Sequence, residues 1–266
     1  MKVVSITIIG CGRRVRQDVV ASALSSGILR NKIQILSRKS RKILIRDKIY
    51  YIKELDKEEI IGDIIYLAIP PFEIKNFIIN NLEKIGKKPI IIDTPIVDNE
   101  LNKLITNPLV VAEDVYPLLK ILMQELNIKK FNFLYFYKSF FKYHGICFIE
   151  TMLGDIKFML NLKLLKIFFA SRGIVLVLGD KNYENGFISL NLRNINFPKL
   201  DSDGINLIGG ITENDSVSYR FLDLKRLGLR DIISNPLKYA NDKYLNIESG
   251  YFQYTLSKKK IFFNSK

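Results

Sequence analysis

The chain has 266 residues, of which 48% are hydrophobic, and it carries a formal net charge of +14 at pH 7. This length allows one large domain or two modest ones with a substantial core. The sequence contains no apolar run of about 18 residues and opens without a signal-peptide pattern, so we expect no membrane span and no export. Two widely separated cysteines, Cys11 and Cys147, are then typical of a reducing compartment, which predicts a cytoplasmic location.

The positive charge is dispersed along the chain, apart from the basic run 38–42 and the tail 258–260. Such an excess can attract nucleic acid or an anionic membrane. However, basic and aromatic residues are not interleaved, no nucleic-acid motif stands out, and dispersed lysines are typical of solvated faces. We therefore predict no specific nucleic acid and no membrane as partners, and keep nucleic-acid binding as a weaker alternative.

The start of the chain, residues 2–27, predicts a strand, a glycine turn and a helix. A β-branched run up to Ile9 is typical of a parallel strand that is buried on both faces. Gly10 and Gly12 follow, and apolar residues then recur at helical spacing up to Gly27, which is a suitable residue for the end of a helix. This order of elements is the beginning of a dinucleotide-binding fold.

Glycines at this place allow a backbone to approach a pyrophosphate closely, and the helix N-terminus supplies N–H groups and the positive end of a dipole. We therefore expect Gly10, Gly12, Arg13 and Arg14 at the cofactor. Because Val15 stands where the full motif has a third glycine, a tight turn without a ligand is the alternative.

The end of the second predicted strand, residues 32–36, bears on the choice of cofactor. An acidic residue there would hold a ribose 2′-hydroxyl, as in NAD sites, whereas a basic one accommodates a 2′-phosphate. Here Ser37 and Arg38 open the basic run, and no acid occurs in it. A hydroxyl with several cations suits a phosphate dianion, which favours NADP, with NAD possible. A solvated basic loop is the alternative.

The next elements alternate along the chain. Residues 42–53 predict a small hairpin, and 63–69 and 89–93 predict strands. Between those strands, 72–85 predict a helix whose core stripe consists of Ile74, Phe77, Ile78 and Leu82. Strands that alternate with helices indicate a parallel, doubly wound sheet, in which ligands bind outside the carboxyl ends of the strands. That edge collects the glycine turn, Ser37, Arg38, Ile69, Pro70, Asp93 and Thr94.

These strand ends, in this order, resemble the Gfo/Idh/MocA family of NAD(P)-dependent oxidoreductases. The resemblance runs through Gly10-Cys11-Gly12, the segment from Asp63 to Ala68-Ile69-Pro70-Pro71, the segment 88–95, and residues 110–119, which are similar to the family's sixth strand and following helix. It covers residues 3 to 125. It implies a Rossmann-type cofactor domain followed by a second domain that binds the substrate.

One departure from the family lies at the fifth strand, which in the family ends in Glu-Lys-Pro and here ends in Asp-Thr-Pro at 93–95. The family's lysine assists proton transfer and contacts the nicotinamide. Thr94 has no ammonium group, although its hydroxyl can hydrogen-bond a substrate or a carboxamide. The resemblance implies that Pro70 and Thr94 border the nicotinamide. The hairpin at 42–53 also stands where the family has a helix.

The second half of the chain predicts strands over 126–141, 162–178, 186–192, 204–210 and 217–221, separated by turn signals. A helix broken near Pro236 is predicted over 231–243, and residues 251–263 predict a last strand or a packed tail. The predicted fold class is therefore α/β. A Rossmann-type doubly wound parallel sheet forms a domain over 1–115, and an α+β domain with a mainly antiparallel sheet spans 116–266. Such a sheet can pair with a copy of itself, so a homo-oligomer is possible.

The candidates for proton transfer lie in the second half. His144 is the only histidine of the chain, and an imidazole exchanges a proton near neutral pH. The resemblance implies a helix with a polar pair near the nicotinamide at about this position, although the motif does not match residue by residue. His144, with Tyr143 or Glu150, is the candidate proton donor, and a capping or surface histidine is the alternative. One histidine and two separated cysteines predict no metal site.

We therefore expect an oxidoreductase that uses NADP, with NAD possible, and transfers a hydride to or from a carbonyl, imine or hydroxyl carbon of a small metabolite. The rival hypothesis is a non-catalytic Rossmann-type binding or assembly protein derived from the same family. Thr94 in place of the lysine is the main support for that rival.

Overall fold

A computed structural model of the protein describes residues 3–45, 47–113, 116, 131–137, 175–179, 187–191, 211–213 and 216–258. The chain divides into two compact units. Of the described residues, the first unit holds those up to 113 and 229–251, and the second holds the others. The division at 115/116 stays a prediction, while residues 229–251 group with the first unit.

The first unit is built on a seven-stranded sheet. Its strands in chain order are β1 (Ile6–Ile9), β2 (Ile33–Ser37), β3 (Arg41–Ile45), β4 (Lys48–Glu54), β5 (Ile64–Leu67), β6 (Ile90–Ile92) and β7 (Leu109–Val111). They lie in the order β3-β4-β2-β1-β5-β6-β7, and every neighbouring pair is parallel except β3 with β4. The strands β2, β4 and β3 lie on one side of β1, and β5, β6 and β7 lie on the other. The strand order therefore reverses beside β1, which is a topological switch point. The predicted Rossmann-like α/β sheet is confirmed, and so is the hairpin, which is β3 with β4.

The described residues also form helices. A π-helical segment, Val15–Val19, continues into α1 (Val20–Ser25), and further helices are α2 (Ile74–Asn80), α3 (Leu82–Ile85), α4 (Leu101–Leu104), α5 (Phe221–Ser234), α6 (Pro236–Ala240) and α7 (Ile247–Lys258). The first helix ends as the sequence predicts, because Gly27 takes a φ of +91° and its N–H donates to the Leu24 carbonyl oxygen at 3.0 Å. Isoleucines and valines of the inner strands form the core; all four residues of β1 are buried. In the described ranges, no helix has the length and hydrophobicity to cross a bilayer.

Two predicted elements differ in the structure. The predicted helix 72–85 is divided at Asn81, whose side-chain amide donates to the Phe77 carbonyl oxygen at 2.8 Å. As a result Leu82, expected in the core stripe, is 39% exposed, and Ile85 is buried instead. Of the two alternatives for residues 251–263, a last strand or a packed tail, the strand is wrong over 251–258, because these residues belong to α7. Aromatic and β-branched residues there favour a strand by propensity, but tertiary packing overrides such preferences.

The second unit contains a five-stranded sheet. Its strands are β8 (Phe131–Tyr137), β9 (Val175–Gly179), β10 (Phe187–Asn191), β11 (Ile211–Glu213) and β12 (Ser216–Arg220), in the order β11-β12-β10-β8-β9. Its neighbouring strands are antiparallel except β8 and β9, which are parallel. The strand predicted over 204–210 lies outside the described residues.

A buried hydrogen-bond network ties the loop before β5 to the centre of the sheet. Thr7 is fully buried; its hydroxyl donates to Gln34 Oε1 at 2.7 Å and accepts from the Gly62 N–H at 2.9 Å. Gln34 in turn donates to the Glu59 carbonyl oxygen at 2.9 Å. A Cβ on Gly62 would lie 2.3 Å from the Thr7 nitrogen, so only glycine fits there. The loop is thereby held against β1 by side-chain polar groups.

Thr7→Val is expected to lower the free energy of unfolding by about 1–3 kcal/mol, because it removes the hydroxyl and leaves buried polar partners without it. Denaturant unfolding measures the change. Thr7→Ser retains the hydroxyl and is expected to lose less. Equal stability of Thr7→Val and the wild type would show that the network contributes nothing.

Candidate cofactor site

The glycine turn after β1 contains two glycines with different structural roles. Gly10 has a φ of +109°, and its N–H donates to the Leu36 carbonyl oxygen at 2.8 Å. A Cβ on Gly10 would lie 2.2 Å from the carbonyl oxygen of Ala68, just after β5. A Cβ on Gly12 would have no neighbour within 4 Å. Gly10 is therefore required by backbone packing, whereas Gly12 leaves open space that a ligand can enter.

A cleft of about 820 Å³ opens beside this turn. Its walls come from residues 9–12, from the basic segment 37–41, from the residues after β5 at 68–70, and from one side of the helical region 73–81. Six predicted site residues line it: Gly10, Gly12, Ser37, Arg38, Ile69 and Pro70. The volume is within the range of about 300–1,000 Å³ that is usual for small-molecule sites. Three of the four predicted strand ends therefore meet at one cleft.

The other predicted cofactor residues of this unit, Arg13, Arg14, Asp93 and Thr94, are not among the residues that line the cleft. Arg13 lies on the outside of the first helix, where its Nε donates to Gln17 Oε1 at 2.8 Å. Their roles at a cofactor stay predictions.

Arg14 connects the first helix to the end of β6. Its Nη1 lies 2.9 Å from Asp18 Oδ2, and its Nε lies 3.4 Å from Asp93 Oδ1. The hydroxyl of the fully buried Tyr66 donates to the same Asp93 oxygen at 3.0 Å. A guanidinium and a phenol thus hold the carboxylate of Asp93, and with it the backbone that leads into Thr94.

Charged side chains in the cleft are partly paired. The guanidinium of Arg38 donates to Glu73 Oε2, and this hydrogen bond and the carboxylate's charge raise the pKa of Arg38. The guanidinium of Arg41 contacts Cys11 Sγ. Among the residues that line the cleft, the basic side chains are Arg38, Lys39 and Arg41, and the one acidic side chain is Glu73. The lining therefore carries a net positive charge that favours an anionic ligand.

The sequence interpretation missed the helical wall of this cleft. Glu73, which directly precedes α2, lines it together with Asn76, Phe77 and Asn80 of α2; their spacings of three and four place them along one side of the helical region. The sequence assigned Phe77 to the core stripe with Ile74, and Phe77 lies partly buried at the border between core and cleft. The sequence signal for this wall was the row of polar residues that lies beside the apolar stripe at helical spacing.

The predicted proton donors, His144, Tyr143 and Glu150, lie outside the described residues. Their roles therefore stay predictions. Within the part of the chain that is described, no group of three or more His, Cys, Asp or Glu residues could hold a metal ion.

Alanine substitutions at Gly10 and Gly12 are expected to distinguish the glycine required by backbone packing from the glycine that borders open space. Gly10→Ala is expected to lower the free energy of unfolding by about 3 kcal/mol or more, because of the clash with Ala68 and the positive φ. Gly12→Ala is expected to change it by less than about 0.5 kcal/mol, since its Cβ meets open space. Thermal and denaturant unfolding of both variants checks this, and equal losses would contradict the assignment.

No protein-family model matches the sequence, and no curated protein is significantly similar to it. Solved structures match over nearly the whole chain. An oxidoreductase from Thermotoga maritima is 13% identical with a TM-score of 0.56, covering 98% of this chain and 96% of that protein. Scyllo-inositol dehydrogenase from Lactobacillus casei, solved with NAD(H) and scyllo-inositol, is 13% identical with a TM-score of 0.52, covering 98% and 97%. A mutant 3-ketoreductase from Actinomadura kijaniata, solved with TDP-benzene and NADP, is 11% identical with a TM-score of 0.51, covering 97% and 98%.

At these identities the likeness shows the fold. The similar structures are oxidoreductases of the Gfo/Idh/MocA type, the family that the strand ends of this sequence resemble. The chain therefore has the fold of these oxidoreductases.

Proposed function

We propose that the chain is an NAD(P)-dependent oxidoreductase that transfers a hydride between a nicotinamide ring and a carbonyl, imine or hydroxyl carbon of a small metabolite. The observation that carries this proposal is the net-positive cleft at the carboxyl ends of β1, β2 and β5, beside an open glycine turn. In an open α/β sheet, this crevice is where nucleotides bind. The cleft belongs to a fold whose solved members include enzymes with bound NAD(H) or NADP.

The residues present fit such a cofactor. The space at Gly12 allows a pyrophosphate to approach the backbone, and Ser37, Arg38, Lys39 and Arg41 surround the place where the adenosine end would lie. A hydroxyl and three cations favour a 2′-phosphate, which supports NADP over NAD. The bound cofactor would supply the hydride, and the protein would bind and orient it.

The substrate end is assigned from the sequence. Ile69 and Pro70 form part of the cleft wall, and Thr94 follows the held carboxylate of Asp93, where its hydroxyl would hydrogen-bond a carboxamide or substrate. His144, with Tyr143 or Glu150, would hold and donate the proton that accompanies hydride transfer. Scyllo-inositol is bound in one similar structure and another is a 3-ketoreductase solved with TDP-benzene, which supports a polyol or its keto form as substrate.

Titration of NADPH and NADH fluorescence is expected to show binding of both, with NADPH the tighter ligand. Arg38→Ala is expected to weaken NADPH by about tenfold and NADH by less, since only NADPH carries the 2′-phosphate. Arg16→Ala removes a guanidinium from the exposed side of the first helix and serves as the matched control. No binding of either cofactor at millimolar concentration would rule out the proposal.

A second candidate is a binding protein of the same fold that has lost catalysis. Thr94 replaces the family's lysine, and the preceding Asp93 is held by Arg14 and Tyr66. This arrangement gives the end of β6 a structural role that requires no chemistry. The candidate predicts cofactor binding without turnover.

Turnover with inositols, keto sugars and cyclic imines separates the two candidates. For an enzyme, His144→Ala is expected to lower kcat by about 10²- to 10⁴-fold while cofactor affinity is retained, because the residue is assigned to proton transfer alone. Cofactor binding by the wild type with no turnover across the panel would favour the binding protein. An active wild type whose rate is unchanged in His144→Ala would remove this histidine from the mechanism.

A further inference from the structure

Glu73 places a carboxylate in the candidate cleft, at the start of α2. It contacts the guanidinium of Arg38, which belongs to the basic segment after β2. The side chain of Glu73 is 32% exposed and that of Arg38 is 79% exposed. The pair thus connects the two walls between which the adenosine end of a cofactor would lie.

We propose that Glu73 is a specificity-determining residue that limits the affinity of this cleft for a 2′-phosphate. The inference rests on the proposed function, because it concerns the same cofactor site. A nucleotide with a free 2′-hydroxyl would leave the Arg38–Glu73 pair in place. A nucleotide with a 2′-phosphate would compete with the carboxylate for the guanidinium.

Two physical effects oppose the phosphate. A guanidinium binds a carboxylate or a phosphate through the same planar set of N–H donors, so the phosphate must displace or share the Glu73 contact. The carboxylate also repels a phosphate dianion that lies within a few ångströms of it. A neutral ribose hydroxyl meets neither cost. Lys39 and Arg41 also line the cleft, so the effect of Glu73 is to reduce the preference for NADP without abolishing it.

Glu73 can be changed without removing the turn that presents it. The Glu73 N–H donates to the Pro70 carbonyl oxygen at 2.8 Å, and Pro71 opens the same short 3-10 turn. These contacts are made by the backbone, so glutamine at position 73 preserves them. The partial exposure of the side chain also means that no core packing depends on its charge.

The test compares ligands with and without the 2′-phosphate. In Glu73→Gln, NADPH and 2′,5′-ADP are expected to bind about tenfold more tightly, whereas NADH and 5′-AMP are expected to bind as they do to the wild type. Isothermal titration calorimetry measures all four without any need for turnover. In an Arg38→Ala background, the gain from Glu73→Gln is expected to shrink, because the competition for the guanidinium is gone.

The matched control is Glu58→Gln, which removes the same charge and an ion pair of 2.9 Å to Lys53 at a position that does not line the cleft. Equal tightening of NADPH in Glu58→Gln and Glu73→Gln would reduce the effect to net charge and overturn the inference. An unchanged ratio of NADPH to NADH affinity in Glu73→Gln would also overturn it, while the proposed function stands. If the wild type binds none of the four ligands, the proposed function itself fails, and the inference fails with it.

Discussion

The close approach of the chain after β1 to the end of β5 is the constraint on which the cleft depends. The Ala68 N–H donates to the Ile9 carbonyl oxygen at 2.8 Å, and the next residue, Gly10, donates across to Leu36 at the same distance. The backbone therefore bridges the neighbouring strands on both sides of β1. A side chain at Gly10 would collide with Ala68, so the three strand ends meet only because this residue has no Cβ. That meeting creates the space beside Gly12.

Electrostatic pairing then determines what the cleft can bind. The chain as a whole has a net charge of +14, yet two arginines near the strand ends are matched by carboxylates. Arg14 pairs with Asp93, and Arg38 pairs with Glu73. The first pair joins a helix to the end of β6, and the second stands in the cleft itself. Ligand preference at such a site depends on which cations remain available to an anion, and net charge alone does not report that.

Two local arrangements stand at the two ends of the proposed cofactor. At the adenosine end, the hairpin of β3 and β4 extends the sheet as an antiparallel edge, and its first residue, Arg41, reaches the glycine turn through Cys11. At the nicotinamide end, Thr94 follows an aspartate that is already held by neighbouring side chains. Because a fold supports many activities, these local arrangements carry the functional argument.

The sequence by itself determined the wound sheet of the first unit, its glycine turn, the hairpin at 42–53 and the basic segment after β2. These follow from local patterns: β-branched runs, Gly10 and Gly12, and the alternation of strands with helices. The sequence also predicted six of the residues that line the cleft, because the carboxyl ends of parallel strands lie at one edge of a sheet. The helical form of residues 251–258 ran against local preference, so the sequence did not indicate it. The apolar spacing over 72–85 concealed the break at Asn81, although asparagine disfavours a helix interior.

Only the tertiary structure decided the partners of the polar side chains. Arg14 was expected at the cofactor, and in the structure it contacts Asp93, a residue far along the chain. Glu73 was unmarked by any motif, yet it contacts Arg38. A polar side chain pairs with whichever opposite charge the folded backbone brings within a few ångströms. That distance is set by packing between elements, which residue spacing along the chain does not encode.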